Sequence, residues 1–452
     1  MSELKKTMSF AGTAAALALL ALGTTPRPKL PDAFADRGEA FFPDFKEASA
    51  AATMEVVAFD EETGAAKAFK VENNDGRWTI PSHHGYPADG KERLAKTAAG
   101  VIDIRKDDFR SDNGADHAAL GVIDPLDEGA TSGKGQRVTL KDKSGAVLAD
   151  FIIGGRPEER EGMRFVRLPG QKRVFAARMD VDISTRFEDW IERDLLAVER
   201  ADIESIVIHD YSIDENTGLM NERDVVSLAQ QNGAWQADRM SATQEVDSAK
   251  MNELLTALDD LKIAGVRPKP EGLSASLTRG GALSQPAMLS LQSRGYYFTR
   301  DGRLVSNEGE LRVETKAGVL YTLRFGEVVY GTGDELSAGG VDGDPGRPSS
   351  GGGGENRFLF ITAEFRSERF PEPPRPADMA FAGKAEAEWT DADRRNKALQ
   401  DAHQAWQSQT AAGRQHAAEL NARFAGWYYV IAADNYGKVH LTRRELVKAK
   451  AS

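Results

Sequence analysis

Two stretches of this chain follow one plan, and that repetition limits the fold more than any single motif. Residues 71–79 and 226–236 each run from an apolar strand-like segment through a polar glycine turn to a tryptophan, Gly76-Arg77-Trp78 in the first and Gly233-Ala234-Trp235 in the second. Each is followed by a helix-like segment and later by a strand ending in glycine. A pattern met twice in this order predicts two related modules, with the two tryptophans as core anchors.

Within the first module, 54–59 and 65–71 read as strands around the turn 60–64, and Phe69, Val71, Trp78 and Ile80 alternate as a half-buried antiparallel pair does. Leu94, Ala98, Val101 and Ile102 follow helical spacing within 89–104. Hairpins are expected around 142–145 and around Pro169-Gly170, and 187–196 reads as a short amphipathic element closing the module. The second module repeats this with strands at 203–210 and 225–229. Asp247 is placed to cap a helix through Leu261, with Met251, Leu254, Leu255 and Leu258 on its apolar side. Gly318–Gly326 corresponds to Gly145–Gly154.

The second copy carries two insertions. One holds Tyr296-Tyr297-Phe298 and a hairpin around Asp301-Gly302. The other, 337–355, is so rich in Gly, Ser and Asp that a disordered loop is expected between strands at 319–330 and 357–365. Pro371–Pro376 reads as a stiff spacer, followed by a long polar helix from beyond Trp389 to about Phe424 and strands at 427–432 and 438–441. The domain scheme is 1–25 leader, 26–52 stalk, 53–197 first module, 198–366 second module, and 367–452 completing the second module. The fold class is α+β: wet-faced antiparallel sheets with helices on one side, an N-terminal membrane-type helix and a long C-terminal helix.

Charge and residue usage exclude several roles. A formal net charge of −12 over 452 residues is the wrong sign for a general nucleic-acid binder. There are no cysteines, hence no disulfide, thiolate metal site, Cys nucleophile or lipid-modified Cys. Lys5 and Lys6 precede an uncharged run from Thr7 to Thr25, and Pro26, Arg27, Pro28 and Pro31 stop it. At roughly 18 residues the run suffices for one tilted crossing. The positive-inside rule then puts the body outside the cytoplasmic membrane. A cleaved signal peptide and a buried N-terminal helix are the rival readings.

No catalytic constellation emerges. Residues 129–135 resemble a phosphate loop with one residue too few between the framing glycines and no Ser or Thr after Lys134. Asp107, Asp108, Asp112, Asn113 and Asp116 crowd one segment without calcium-loop spacing. His83-His84 lacks a third ligand, and His209-Asp210 at a strand end lacks a nucleophile elbow. Trp78, Trp235, Trp406 and Trp427 read as core anchors rather than ligand platforms. The chain is expected to be a non-enzyme with no cofactor and no metal. The candidate binding residues are Tyr296, Tyr297 and Phe298, on an exposed aromatic face.

In its order of motifs the chain resembles the bacterial domain of unknown function 4340 family. The likeness rests on the two Gly-x-Trp turns, the segment Asp247–Leu261, and Phe151-Ile152-Ile153-Gly154 followed by Arg164–Leu168 and Arg173-Val174-Phe175. The second copy offers Tyr321–Gly326 with Phe358-Leu359-Phe360-Ile361, and Leu420–Ile431 is similar to the tail of longer, planctomycete-like members. The resemblance implies a single-pass anchor in the inner membrane through residues 7–25 and an extracytoplasmic body. It also implies an accessory or assembly role beside the permease or auxiliary subunits of a gliding-motility-type ABC transport system. The reading of the residues themselves keeps open a periplasmic ligand- or polysaccharide-binding module.

Overall fold

Met54 and Val56 alternate with more polar neighbours, as an antiparallel strand with one wet face requires. In the computed structural model they lie on strand β1 (Thr53–Asp60), which pairs with β2 (Ala65–Asn74) along its whole length. The structure describes residues 36–450 except 62–63, 159, 182, 193, 215–216, 218, 332 and 339–354, together with positions 8, 13–15 and 17. These residues form two units. The first takes the chain to Asn74 and then Lys91–Ile183; the second takes Asp75–Gly90 and the chain from Ser184 onward. Strands β3 (Arg77–Ile80) and β4 (Tyr86–Pro87) therefore belong to the second unit, where they pair with each other.

The first unit continues with helix α1 (Lys91–Ile102), strand β5 (Asp108–Ser111), the single turn α2 (His117–Leu120), and strands β6 (Gln136–Lys141), β7 (Val147–Ile153), β8 (Met163–Arg167) and β9 (Val174–Arg178). Its strand order is β2-β1-β6-β7-β8-β9-β5, antiparallel throughout. Leu94, Ala98 and Val101 are buried, as the helical spacing predicts. The chain at 36–52 is not a free stalk. Phe41 and Phe45 are buried, Phe41 meets Phe175 edge-on at 5.6 Å, and Phe42 lies 5.5 Å from Phe151. Burying aromatic area of this size outweighs the Pro- and Ala-rich composition that suggested a linker.

In the second unit follow β10 (Ile203–Ile213), β11 (Met220–Gln231), β12 (Ala234–Ala237), β13 (Gln244–Val246), helix α3 (Ser248–Asp259) and β14 (Ile263–Pro268). Helices α4 (Leu273–Arg279) and α5 (Gln285–Gln292) and the hairpin β15 (Tyr296–Phe298)–β16 (Leu304–Ser306) come next. Then come β17 (Glu310–Thr315), β18 (Val319–Val329), α6 (Gly333–Ser337), β19 (Asn356–Phe365), the long helix α7 (Asp391–Phe424), β20 (Trp427–Ile431), α8 (Ala433–Val439), α9 (Arg443–Leu446) and β21 (Val447–Ala449). The main sheet runs β12-β11-β10-β17-β18-β19-β20-β14, and β13 pairs with β21. Reading from β11 to β14 gives the same order of strands as β2 to β5 in the first unit, each ending on an edge strand that precedes its four inner neighbours in the chain.

The local signals explain the long elements. Asp247 caps α3 by accepting from Ala249 N and Lys250 N. Thr390 and Asp393 form a reciprocal capping box at the start of α7. Beyond Leu359 the edge of β19 has no strand partner from β20. Asn421 of α7 supplies one instead: its carboxamide accepts from Ala363 N at 3.0 Å and donates to Ala363 O at 2.6 Å, closing an edge that would otherwise be open. Gly413 allows this approach, since a Cβ there would meet the Phe365 ring at 2.2 Å.

Several expectations need correction. The second sheet is not wet on one face: β18 is buried over Val319–Leu323 without alternation, because helices and the inserted hairpin cover the side that a two-layer reading leaves to water. Residues 438–441 are not a strand. Lys438 and Val439 end α8, and Val439 and Leu441 are buried in the core. Residues 187–196 contain one 3₁₀ turn and belong to the second unit. Trp78, Trp235, Trp406 and Trp427 are only half-buried, and the fully buried tryptophan is Trp190, whose Nε1 donates to Ser184 O at 3.0 Å. The leader at 7–25 lies almost wholly outside the described residues, as do 339–354 of the Gly-rich insertion; Ser337 closes α6 and is buried. Among the described residues no helix is long and apolar enough to cross a membrane.

Gly413→Leu should separate α7 from Phe365 and destabilise the protein by about 1–3 kcal/mol, the range for overpacking a tight contact. Urea denaturation checks this, and an unchanged midpoint would mean that α7 does not press on β19 there.

Candidate functional site

The residues that sequence reading weighed for chemistry are engaged in structure. Asp107 accepts from Arg178 N, Asp108 pairs with Arg37 and Arg160, and Asp112 forms two bonds with Arg173. Asn113 caps a 3₁₀ turn and Asp116 accepts from Ser111 Oγ. No cluster that could hold a metal ion occurs among the described residues. Lys134 lies over the Phe59 ring at 3.8 Å and donates to Pro125 O, and β6 rather than a helix follows it, so this loop presents no phosphate cradle.

His83 is buried, stacks on Phe187 at 4.6 Å and shares a hydrogen bond with Ser337 Oγ at 2.8 Å; burial brings its pKa down to about 4. His84 contacts Ala338 O at 2.6 Å. His209 and Asp210 are more enclosed than a surface strand end. Asp210 binds Arg223 at 2.7 Å and lies 3.6 Å from His440, while His209 lies 3.4 Å from Glu222.

Of the three aromatic candidates, Tyr296 is fully buried and is a core residue rather than part of an exposed face. It stacks on Tyr428 at 5.9 Å and meets Phe360 edge-on. An alternating strand explains this: Tyr296 and Phe298 share a side of β15, but only the hairpin tip reaches past the core. Tyr297 is half-buried. Phe298, also half-buried, lines a cavity of about 690 Å³ in the second unit.

That cavity is built where the second unit has what the first lacks. Its walls come from α4 (Ser274, Leu277), the inserted hairpin (Phe298, Leu304), sheet residues of β18 and β19 (Thr322, Arg324, Phe360, Thr362), and the last turn of α7 (Asn421, Phe424). β14 runs out into Lys269, which completes the wall. Register places Thr322 opposite Thr362 and Arg324 opposite Phe360, so polar and aromatic groups share one face of the sheet.

The charges here are unequally matched. Arg324 donates to Leu304 O and to Thr362 Oγ1, and has Glu310 at 3.4 Å. Lys269 is 9% exposed. Its ammonium donates to Phe424 O at 3.0 Å and sits over the Phe360 ring at 3.8 Å, and no carboxylate stands beside it among the described residues. Burial alone lowers its pKa from the usual lysine value to about 7.

The magnitudes explain a poise near neutrality. Desolvating an ammonium costs several kcal/mol. A charged hydrogen bond returns about 1.5–3, a desolvated cation–π contact about 2 and a helix C-terminus about 0.3–1 kcal/mol. Sequence reasoning missed Lys269 because a lysine between Pro268 and Pro270 reads as a solvated loop residue.

Residues 78–276 match the model of the family described as Domain of unknown function (DUF4340). The match ends within α4, so the hairpin, β18, β19 and α7 walls of the cavity lie beyond it. No curated protein and no solved structure matches the chain.

Lys269 makes stability depend on pH with a definite sign. Its folded pKa, about 7, is below the free value of 10.5, so between these limits the unfolded chain binds more protons and stability rises with pH. Below about 7 both states are protonated and this contribution is at its least favourable. Lys269→Met removes that dependence. The wild type should therefore gain stability over the variant, by several kcal/mol between pH 7 and 10. Parallel denaturation curves for the two proteins measure this, and a constant gap across that window would contradict a buried, unpaired amine.

Proposed function

We propose that this chain, part of which belongs to the DUF4340 family, is a non-enzymatic binding protein made of two copies of one module. The second copy would hold a small ligand. The observation that carries this reading is the cavity beside Lys269 and Phe298, assembled from segments inserted into the second unit. Its volume lies within the usual range for small-molecule sites, about 300–1,000 Å³. The shared strand order supports the duplication, and the insertions would be how one copy acquired a pocket.

An anchored, extracytoplasmic placement follows from the leader, and service to a gliding-motility-type ABC transport system follows from the family resemblance. In this role the protein presents or senses a ligand for the transporter.

The test is to purify the full-length chain from its own host in mild detergent and to examine it by native mass spectrometry and by extraction of bound molecules. The wild type should retain a small molecule and co-purify with permease or ATPase subunits. Leu277→Trp, which fills the cavity, should lose the small molecule. An identical, ligand-free result for both proteins would overturn the pocket, and absence of every transporter subunit would overturn the transport role.

A further inference from the structure

The cavity's charge balance narrows the ligand further, on the premise that the cavity binds one. Arg324 already has Glu310 as counter-ion, so its positive charge is largely spent. Glu364 is exposed at the rim and would oppose a multiply charged anion. The remaining positive group is Lys269, with one N–H given to Phe424 O and its charge resting on aromatic faces rather than on a carboxylate. The lining offers it an apolar strip, Leu277, Phe298, Leu304 and Phe360, beside the polar Ser274, Thr322, Thr362 and Asn421. Such a site favours one negative charge attached to an apolar body. A dianion such as a phosphate monoester would bring a second charge with no cation to meet it, and a neutral sugar would leave the Lys269 ammonium without a counter-ion.

We propose that the cavity binds a monocarboxylate with an apolar body, its carboxylate pairing with Lys269 and its body lying against Phe298, Leu277 and Leu304. The carboxylate supplies the counter-ion that Lys269 lacks. The hairpin β15–β16 sets the length of body accommodated, because Phe298, Gly302 and Leu304 line the cavity from that side. Aliphatic and aromatic acids share this chemistry.

The experiment titrates the full chain in amphipol, against an empty-amphipol blank, with octanoate and octanol and with phenylpropionate and phenylpropanol, by calorimetry at pH 6.5. At least one acid should bind about tenfold or more tightly than its alcohol, the discrimination expected of one charged hydrogen bond. The acid preferred over its alcohol identifies the body as aliphatic or aromatic. Lys269→Met should remove the preference while retaining the wild-type circular dichroism and still binding the alcohol. Equal binding of acid and alcohol, or a preference that survives in Lys269→Met, would overturn the assignment while leaving a neutral-ligand pocket standing. Failure of all four compounds to bind would overturn it too; a native small molecule retained by the wild type and lost in Leu277→Trp would then show that the pocket reading survives.

Discussion

The second unit depends on how the last turn of its 34-residue helix is finished. A helix leaves its final carbonyls without partners, and burying them unpaired costs about as much as losing a hydrogen bond each. Here each successive carbonyl has a protein donor: Tyr429 Oη for Arg423, Lys269 Nζ for Phe424, Ser274 Oγ for Ala425 and Lys269 N for Gly426. The donors come from β20, the end of β14 and α4. One helix end therefore joins the inserted segment to the far edge of the sheet, and the cavity forms at that junction. A cation is well chosen for a helix C-terminus, where the backbone dipole is negative. Doing the job from inside an apolar wall is what leaves Lys269 poised between charged and neutral.

The two sheets share a strand order, and the second unit holds segments that the first does not. In the first unit a short turn at Pro169-Gly170 joins β8 to β9, whereas in the second the whole of α7 lies between β19 and β20. Two helices and a hairpin likewise separate β14 from β17. The two helices and the hairpin cover the sheet face carrying Phe358, Phe360, Tyr428 and Val430, which pack with Tyr296 and Leu291, while α7 meets the other face at Phe365 and Tyr429. Glycines permit the tight seams: a Cβ at Gly265 would meet Leu336 O at 2.2 Å. Arg267, two residues before Lys269 on the same strand face, donates to Leu336 O and Ser337 O at the end of α6. β14 thus finishes two helices with two successive basic side chains.

Much of this was legible in the sequence, wherever a local pattern had a local cause. The β1–β2, β6–β7, β8–β9 and β15–β16 hairpins follow from alternation and turn residues. Asp247 marks the start of α3, and the polar run after Trp389 marks α7. What could not be read depends on distant partners. Tyr296 looks like an exposed ring until Tyr428 and Phe360 arrive from more than sixty residues further on. Trp235 looks like a core anchor but ends on the edge strand β12, while Trp190, without a turn motif, fills the core. Residues 438–441 have strand-like composition, yet helix α8 takes Lys438 and Val439 and His440 caps it. For the site, Phe298 was visible as part of an aromatic insertion. Lys269 was not, since its burial is created by α4, α7 and the hairpin together.

The central claim is that Lys269 is a buried amine whose counter-ion must come from a ligand. Direct titration of its side chain by NMR, with selectively labelled lysine and Lys269→Met to assign the signal, tests this without reference to any ligand. A midpoint near pH 7 is expected from its burial, against 10.5 for a free lysine. A midpoint at the free value would show the ammonium to be solvated or already paired, and would contradict the account.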